Sequence, residues 1–432
     1  MLPMNDILFI QHQTNMMYPE IIPMSLPAIM NRVHKRFPVR GYFLEELTET
    51  HLRNARILIL SIHWYVSIKG AIQTADWAKR VNPDISTIAG GMSASVFYPF
   101  LLRDSKIDYI IRGDGDLPLL FLVEALLEHK DVSQIPNVAG REFVADEWQA
   151  AGQDTLDSGD YRTLDWFPTL DHRIRRMHTR YNGKILPIHP LLATYRGCPM
   201  PCENCCGAAV TQKALYRRSP LLRSAGPVAA DLEAYSDDRG CNFVSIYHDF
   251  ASLAEESYTR EVLGRHYDLD VYYELTRLPS PAMLRLIVET FRRGTIAFSL
   301  DVRHMTSCQL VDVPALIDAI NLVAATGRFE PRLCYLRQGL KENKAYREAF
   351  EAVRQATPCT VYCSDWWWEE ENPLPNSDGL CTEAIYHACM NNSNRYQAWN
   401  YLFRLSYLMN YHAPALNHTL LKLFRYAYGG VK

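Results

Sequence analysis

The sequence predicts an α/β protein of two domains and a tail: a doubly wound parallel sheet, then a complete or partial βα barrel, then a helical C-terminal cap. Three observations predict it. Short apolar runs alternate with helical patterns through the first third, the alternation resumes after a gap, and a chain of 432 residues exceeds one hydrophobic core. The expected boundaries are 1–140 for the first domain, 141–190 for a linker, 191–380 for the barrel and 381–432 for the cap.

In chain order, residues 7–10 and 57–62 read as buried strands, 72–81 as a helix, and 85–89 as a strand ending at Gly90-Gly91. Residues 109–111 read as a further strand and 117–129 as a helix. Over 131–181 periodicity fades and Gly, Asp, Pro and Arg gather, which marks the linker. The second series places apolar strands at 244–247, 271–275, 296–300, 332–336 and 359–363. Amphipathic stretches at 282–291, 313–325 and 345–356 would clothe the outside of a barrel. From Thr382 the chain turns helical and aromatic through Tyr428.

Composition narrows the function classes. Hydrophobic residues at 48% and charged residues at 22% suit a globular protein. A net charge of -3 argues against a general polyanion binder, so nucleic acid is not an expected partner. The first 25 residues lack a basic segment followed by an apolar core, and no apolar run approaches a membrane span. A cytoplasmic protein with no membrane partner is expected.

Of 11 cysteines, four crowd between Cys198 and Cys206, a pattern of metal binding in a reducing compartment. The remaining seven read as small buried hydrophobes. The crowded segment follows the first barrel strand, where barrel active sites lie. Structural zinc needs four closed ligands, and no second Cys or His pair follows at suitable spacing. Three close thiolates instead suit three irons of a [4Fe–4S] cluster, with the fourth iron open.

Cys198, Cys202 and Cys205 form Cys-x3-Cys-x2-Cys after Tyr195-Arg196-Gly197, and this resembles the signature of the radical S-adenosylmethionine (SAM) superfamily. The resemblance implies that the open iron binds SAM and that an electron from the cluster cleaves it to a 5′-deoxyadenosyl radical. It also implies an external electron donor of the flavodoxin or ferredoxin kind. Two departures stand out: Asn204 occupies the place of the usual aromatic residue, and Cys206 offers an alternative third ligand to Cys205. Arg217-Arg218-Ser219-Pro220 and the stretch 243–249 are similar to the superfamily's post-cluster segment. Tyr273, Ser299 and Arg303 occupy positions where that fold commonly contacts SAM.

Strand ends of the first domain carry Ser61-Ile62-His63, Gly90-Gly91-Met92-Ser93 and Arg112-Gly113-Asp114-Gly115-Asp116. A doubly wound sheet binds ligands beyond such ends, where glycine admits close approach. The set Ser61, His63, Gly90, Gly91, Ser93, Gly113 and Gly115 resembles the Rossmann-like cobalamin-binding domain that precedes the barrel in one radical SAM class. No Asp-x-His-x-x-Gly sequence is present, so whether cobalamin is bound stays open, as does a cofactor-free domain.

Asp249, Glu274 and Asp301 project toward the barrel mouth, where a carboxylate could serve as general base toward a radical intermediate. Ser364 to Pro373 sets three indoles beside an acidic run. Asp365, Trp366 and Glu369 there would pair with and pack on a small, polar, amine-bearing substrate. The expected activity is hydrogen abstraction followed by cobalamin-dependent methylation. The alternatives are cobalamin-independent dehydration or rearrangement of an aminosugar-like substrate, a non-catalytic cobalamin or metal carrier, and tRNA modification.

Overall fold

A computed structural model of the chain describes residues 6–12, 22–179, 190–200, 207–247, 249–251, 253–299, 312–337, 344–365 and 381–390. They form two compact units. One holds Arg36–Trp148 with the described parts of Met1–Ile22 and Cys381–Lys432; the other holds Pro23–Lys35 with the described part of Gln149–Leu380.

The first unit is built on a sheet of β1 (Ile7–Gln11), β2 (Val39–Phe43), β3 (Ile57–Ser61), β4 (Ser86–Gly90), β5 (Tyr109–Ile111) and β6 (Val138–Gly140), ordered β2-β1-β3-β4-β5-β6. β1 and β3 are buried along their whole length, which is why they read as continuous apolar runs. β2 escapes that reading because only alternate residues of Val-Arg-Gly-Tyr-Phe are buried. The first five strands are parallel, as the alternation predicts. At one edge the expectation of a parallel sheet is corrected. β6 pairs antiparallel with β5, and Arg112 N continues that ladder to Asn137 O at 2.9 Å. A short edge strand needs only one partner, so this direction satisfies the outer donors of β5 at no cost to the core.

Between the strands run α2 (Glu49–Arg53), α3 (Ile68–Val81), α4 (Met92–Asp104) and α5 (Pro118–Leu127), whereas α1 (Leu26–His34) counts with the second unit. The chain returns to the first unit at 381. Tyr386, on the helix 383–390, stacks 5.2 Å from Phe100 and lies 5.6 Å from Phe97, both on α4, while Glu383 pairs with Arg103 at 2.7 Å.

After α1, the second unit continues with α6 (Gln153–Asp157) and α7 (Pro168–Thr179), separated by fully buried Trp166 and Phe167. The stretch read as linker thus carries helices and core residues of its own. β7 (Tyr195–Arg196) pairs antiparallel with β8 (Leu221–Leu222), and α8 (Ala209–Tyr216) lies between them in sequence. Five parallel strands follow, β9 (Phe243–Ile246), β10 (Tyr267–Leu275), β11 (Phe291–Phe298), β12 (Phe329–Arg337) and β13 (Thr360–Asp365), in sequential order. An isolated parallel bridge from Leu191 to Ser245 sets the first strand of the series beside β9. Among the described residues this is an open wall of βα units, the partial barrel of the sequence expectation.

Helices α9 (Ala225–Asp237), α10 (Glu256–Leu263), α11 (Pro281–Thr290), α12 (Val313–Ala325) and α13 (Lys344–Ala356) cover one face of the wall. Leu269, Val271, Tyr273 and Leu275 of β10 join Val244, Ile246, Ile296, Phe298 and Leu333 in the core beneath them. Strand alternation sends the intervening residues to the other face. There Phe243, Tyr272, Ala297 and Cys334 form a smaller cluster with Tyr247 against it.

Candidate active site

The loop that carries the cysteine motif is pinned at its base. Cys198 N donates to Gly207 O at 2.7 Å, and Ala209 N to Met200 O at 3.1 Å. Gly197 precedes it with φ +83°, and a Cβ there would stand 2.6 Å from the Gln212 side chain, so glycine is required at this approach. Cys198 is half-buried and packs beside Met200, Ala208 and Leu253. Cys202, Cys205 and Cys206 lie outside the described residues.

Tyr195, three residues before Cys198, is within electrostatic reach of both Cys198 and Asp249. Burial, then the charges of Asp249 and Cys198, push the Tyr195 phenol up to about 12, which keeps it protonated at neutral pH. Asp249 is completely buried just past β9. Its carboxylate accepts from Thr276 N at 3.0 Å and stands 3.4 Å from the Tyr273 hydroxyl, whose proton is also within reach of it. Tyr273 itself lies in the helix-covered core and accepts from Ala251 N at 3.1 Å.

Glu274 occupies the opposite face. Tyr272 OH donates to it at 3.4 Å and Ser299 hydrogen-bonds to it. Burial raises its carboxyl above the usual range, opposed by the Ser299 and Tyr272 hydrogen bonds and reinforced by the charge of Asp249. Cys334 shares Ser299 and Tyr272 with it, and burial holds that thiol up at about 11. Ser245, level with Tyr272 in the ladder, is buried with an Oγ that has no hydrogen-bond partner among the described residues. Sequence reasoning missed Tyr272, Ser245 and Cys334, because a strand buried on both faces carries no period to separate them. Asp301, Arg303, Trp366 and Glu369 lie outside the described residues, and Asp365 ends β13 with its side chain outside them.

In the first unit, Gly91 has φ +111° and its absent Cβ would meet His63 N at 2.7 Å. The His63 carbonyl accepts from Ser93 N at 3.2 Å and Ser93 Oγ at 3.1 Å, so β3 and β4 end in one locked corner. Ser61 is buried at the end of β3. Gly113, with φ +72°, donates its N–H to Ser95 Oγ at 2.9 Å, and the Gly115 carbonyl accepts from Leu119 N at 3.1 Å. Around Gly90 a Cβ would meet nothing within 4 Å. Gly91→Ala is therefore expected to destabilise this unit by about 2–4 kcal/mol, and Gly90→Ala by under about 1 kcal/mol, as read by urea unfolding.

Two imidazoles stand at these strand ends. Burial lowers both His63 and His12, the residue after β1, to about 4, so both are neutral at pH 7. Between pH 6.5 and about 4 the unfolded chain binds a proton that the folded His12 refuses, so stability falls as pH drops through this window. The loss from His12 alone should approach about 3 kcal/mol by pH 4. Unfolding free energies of the protein and of His12→Asn across that window should converge at the acid end; parallel curves would sink the expectation.

No protein-family model matches the chain. Over 143 residues it is 30% identical to the anaerobic magnesium-protoporphyrin IX monomethyl ester cyclase of Rubrivivax gelatinosus, covering 32% of this chain and 25% of that protein. A second cyclase of the same description, from Synechocystis, is 26% identical over 125 residues, 28% of this chain and 23% of that one. The chain thus spans about a quarter of the length of these curated relatives. Among solved structures, the radical SAM methyltransferase TsrM from Kitasatospora setae, with tryptophan substrate and a SAM analogue bound, superposes with a TM-score of 0.61 at 14% identity. That match covers 83% of this chain and 73% of the other. The cobalamin-dependent radical SAM enzyme OxsB, with aqua-cobalamin and SAM bound, gives 0.57 at 13% identity, over 90% of this chain and 56% of the other. The chain has the fold of cobalamin-dependent radical SAM enzymes.

Proposed function

We propose that the protein is a radical SAM enzyme that abstracts hydrogen from a small polar substrate and, with cobalamin in its first domain, transfers a methyl group to it. The observation that carries this reading is Cys198, which opens the Cys-x3-Cys-x2-Cys sequence after the first strand of the βα wall. Cys198, Cys202 and Cys205 would hold a [4Fe–4S] cluster, and the donor set fits it: three cysteines within eight residues of sequence, whose described flanks are joined by two backbone hydrogen bonds. When bound, the cluster and SAM would supply a 5′-deoxyadenosyl radical, with electrons from a flavodoxin- or ferredoxin-like donor.

The chain's own residues do the positioning. Asp249, oriented by Thr276 N, would supply a negative group suited to the ammonium of an amino-acid moiety. Tyr195 stays a neutral neighbour. Tyr272, Glu274, Ser299 and Cys334 line the sheet face away from the helices with polar groups that can meet a hydroxylated or aminated substrate.

Glu274 favours a second reading, elimination of water from a substrate radical. A carboxyl whose proton affinity burial raises could give a proton to a leaving hydroxyl and take one back from the neighbouring hydroxyl, so that water leaves with no net change at Glu274. Protein reconstituted anaerobically with iron, sulfide and hydroxocobalamin tests both readings. Release of 5′-deoxyadenosine from SAM under reduction, with stoichiometric cobalamin, supports methyl transfer; release without cobalamin supports elimination. Absence of oxygen-sensitive iron and of SAM cleavage would leave a non-catalytic carrier.

A further inference from the structure

His12 carries a feature that no motif announced. It is nearly completely buried at the carboxyl end of β1, and its Nε2 lies 3.0 Å from Thr74 Oγ1 on α3. The Thr74 hydroxyl has one proton, and it donates that proton to the Gly70 carbonyl at 2.8 Å. With its proton on that carbonyl the hydroxyl accepts toward His12, and in this tautomer Nε2 carries the ring proton. The Gly70 carbonyl acts on the ring in the same sense. Nδ1 is then a bare lone pair, buried without a hydrogen-bond partner among the described residues, and Gln11 Oε1 beside it in sequence is in the same state.

A neutral imidazole with one nitrogen held by a neighbouring oxygen and the other presenting a lone pair is the arrangement of a metal ligand. A buried acceptor without a donor is costly, and coordination removes the cost. The position also points to a cofactor. β1 leads to β2 on one side of the sheet and β3 leads to β4 on the other, so the carboxyl ends of β1 and β3 flank the switch point at which doubly wound sheets bind ligands.

We propose that His12 Nδ1 is the protein's axial ligand to the cobalt of a cobalamin bound at this switch point, in place of the cofactor's own dimethylbenzimidazole. The proposal rests on the cobalamin reading given above. Thr74 does here what a carboxylate would do in the absent Asp-x-His-x-x-Gly sequence: it fixes the tautomer and the ring orientation.

The test is electron paramagnetic resonance of the full chain reconstituted with hydroxocobalamin and reduced to the cobalt(II) state. Each cobalt line should split into three through one nitrogen-14 nucleus, and into two in protein made with imidazole-nitrogen-15-labelled histidine. His12→Ala should show unsplit lines with iron content unchanged; if that variant does not fold, the labelled wild-type spectrum decides alone. Retained cobalamin with unsplit lines overturns the assignment while the cofactor reading stands. So does a threefold splitting that labelling leaves intact, because the nitrogen is then the cofactor's own base. A splitting that survives in folded His12→Ala assigns another histidine, such as His63, and overturns it too. Failure to retain any cobalamin overturns the ligand and the cofactor reading together.

Discussion

Cys198→Ala is expected to bring iron and sulfide uptake and SAM cleavage down to background while leaving the fold intact. The thiolate is one of three in a loop with no cysteine to spare on its N-terminal side, so no neighbour can take its place. Its packing against Met200, Ala208 and Leu253 is modest, and losing the sulfur there should cost no more than about 1 kcal/mol. Iron content, sulfide content and 5′-deoxyadenosine release, measured on a variant whose circular dichroism matches the parent, separate loss of ligation from misfolding. Stoichiometric oxygen-sensitive iron in Cys198→Ala would end the cluster assignment. Comparison of Cys205→Ala with Cys206→Ala then decides the third ligand, since only one of them should lose iron to the same extent.

Arg223→Ala should destabilise the second unit by about 3–5 kcal/mol. The Arg223 guanidinium is buried against Asp231, reaches the Ala193 carbonyl at 3.4 Å and lies 4.6 Å over the Tyr161 ring. Asp231 also accepts from Arg162 Nε at 3.0 Å, but Arg162 is largely exposed and cannot replace the buried partner. Truncation would leave a carboxylate in a low-dielectric setting with half its compensation gone. Removing both charges as Arg223→Met with Asp231→Leu should recover most of the loss, because the penalty belongs to the abandoned charge. Urea unfolding of the single and double variants reads this directly; equal loss in both would mean that packing of the guanidinium is what matters. The site should respond as well. Arg223 N donates to Thr194 O at 2.8 Å, immediately before the strand that enters the cysteine loop, so iron retention should weaken in the single variant.

Much of the fold was legible in the sequence because parallel strands buried on both faces are runs of apolar residues, as at β1 and β3. The elements that escaped have identifiable reasons. β2 shows its apolar residues only alternately and includes a glycine. α4 begins directly after Gly90-Gly91 and contains Pro99, both of which read as breaks. The helices α6 and α7 are embedded in a stretch rich in Asp and Arg, where apolar residues such as Leu156, Leu170 and Ile174 are too widely spaced among charges to stand out.

At the site, the Cys-x3-Cys-x2-Cys spacing stands out in the letters themselves. Facing does not. Tyr272, Tyr273 and Glu274 are adjacent in sequence, and both faces of β10 are occupied, so nothing in the letters says that Tyr273 turns to the helices while Tyr272 and Glu274 turn away. His12 was invisible for a different reason: its tautomer depends on a hydroxyl 62 residues away on α3.

The return of residues 381–390 to α4 bears on how the polypeptide is made. A ribosome delivers the six strands of the first unit long before it delivers Tyr386, so Phe97 and Phe100 await a covering ring while more than half of the chain is still being synthesised. Folding of that unit is therefore not strictly vectorial. Nascent chains stalled before 381 should engage a holdase chaperone at α4, and chains released beyond 390 should shed it.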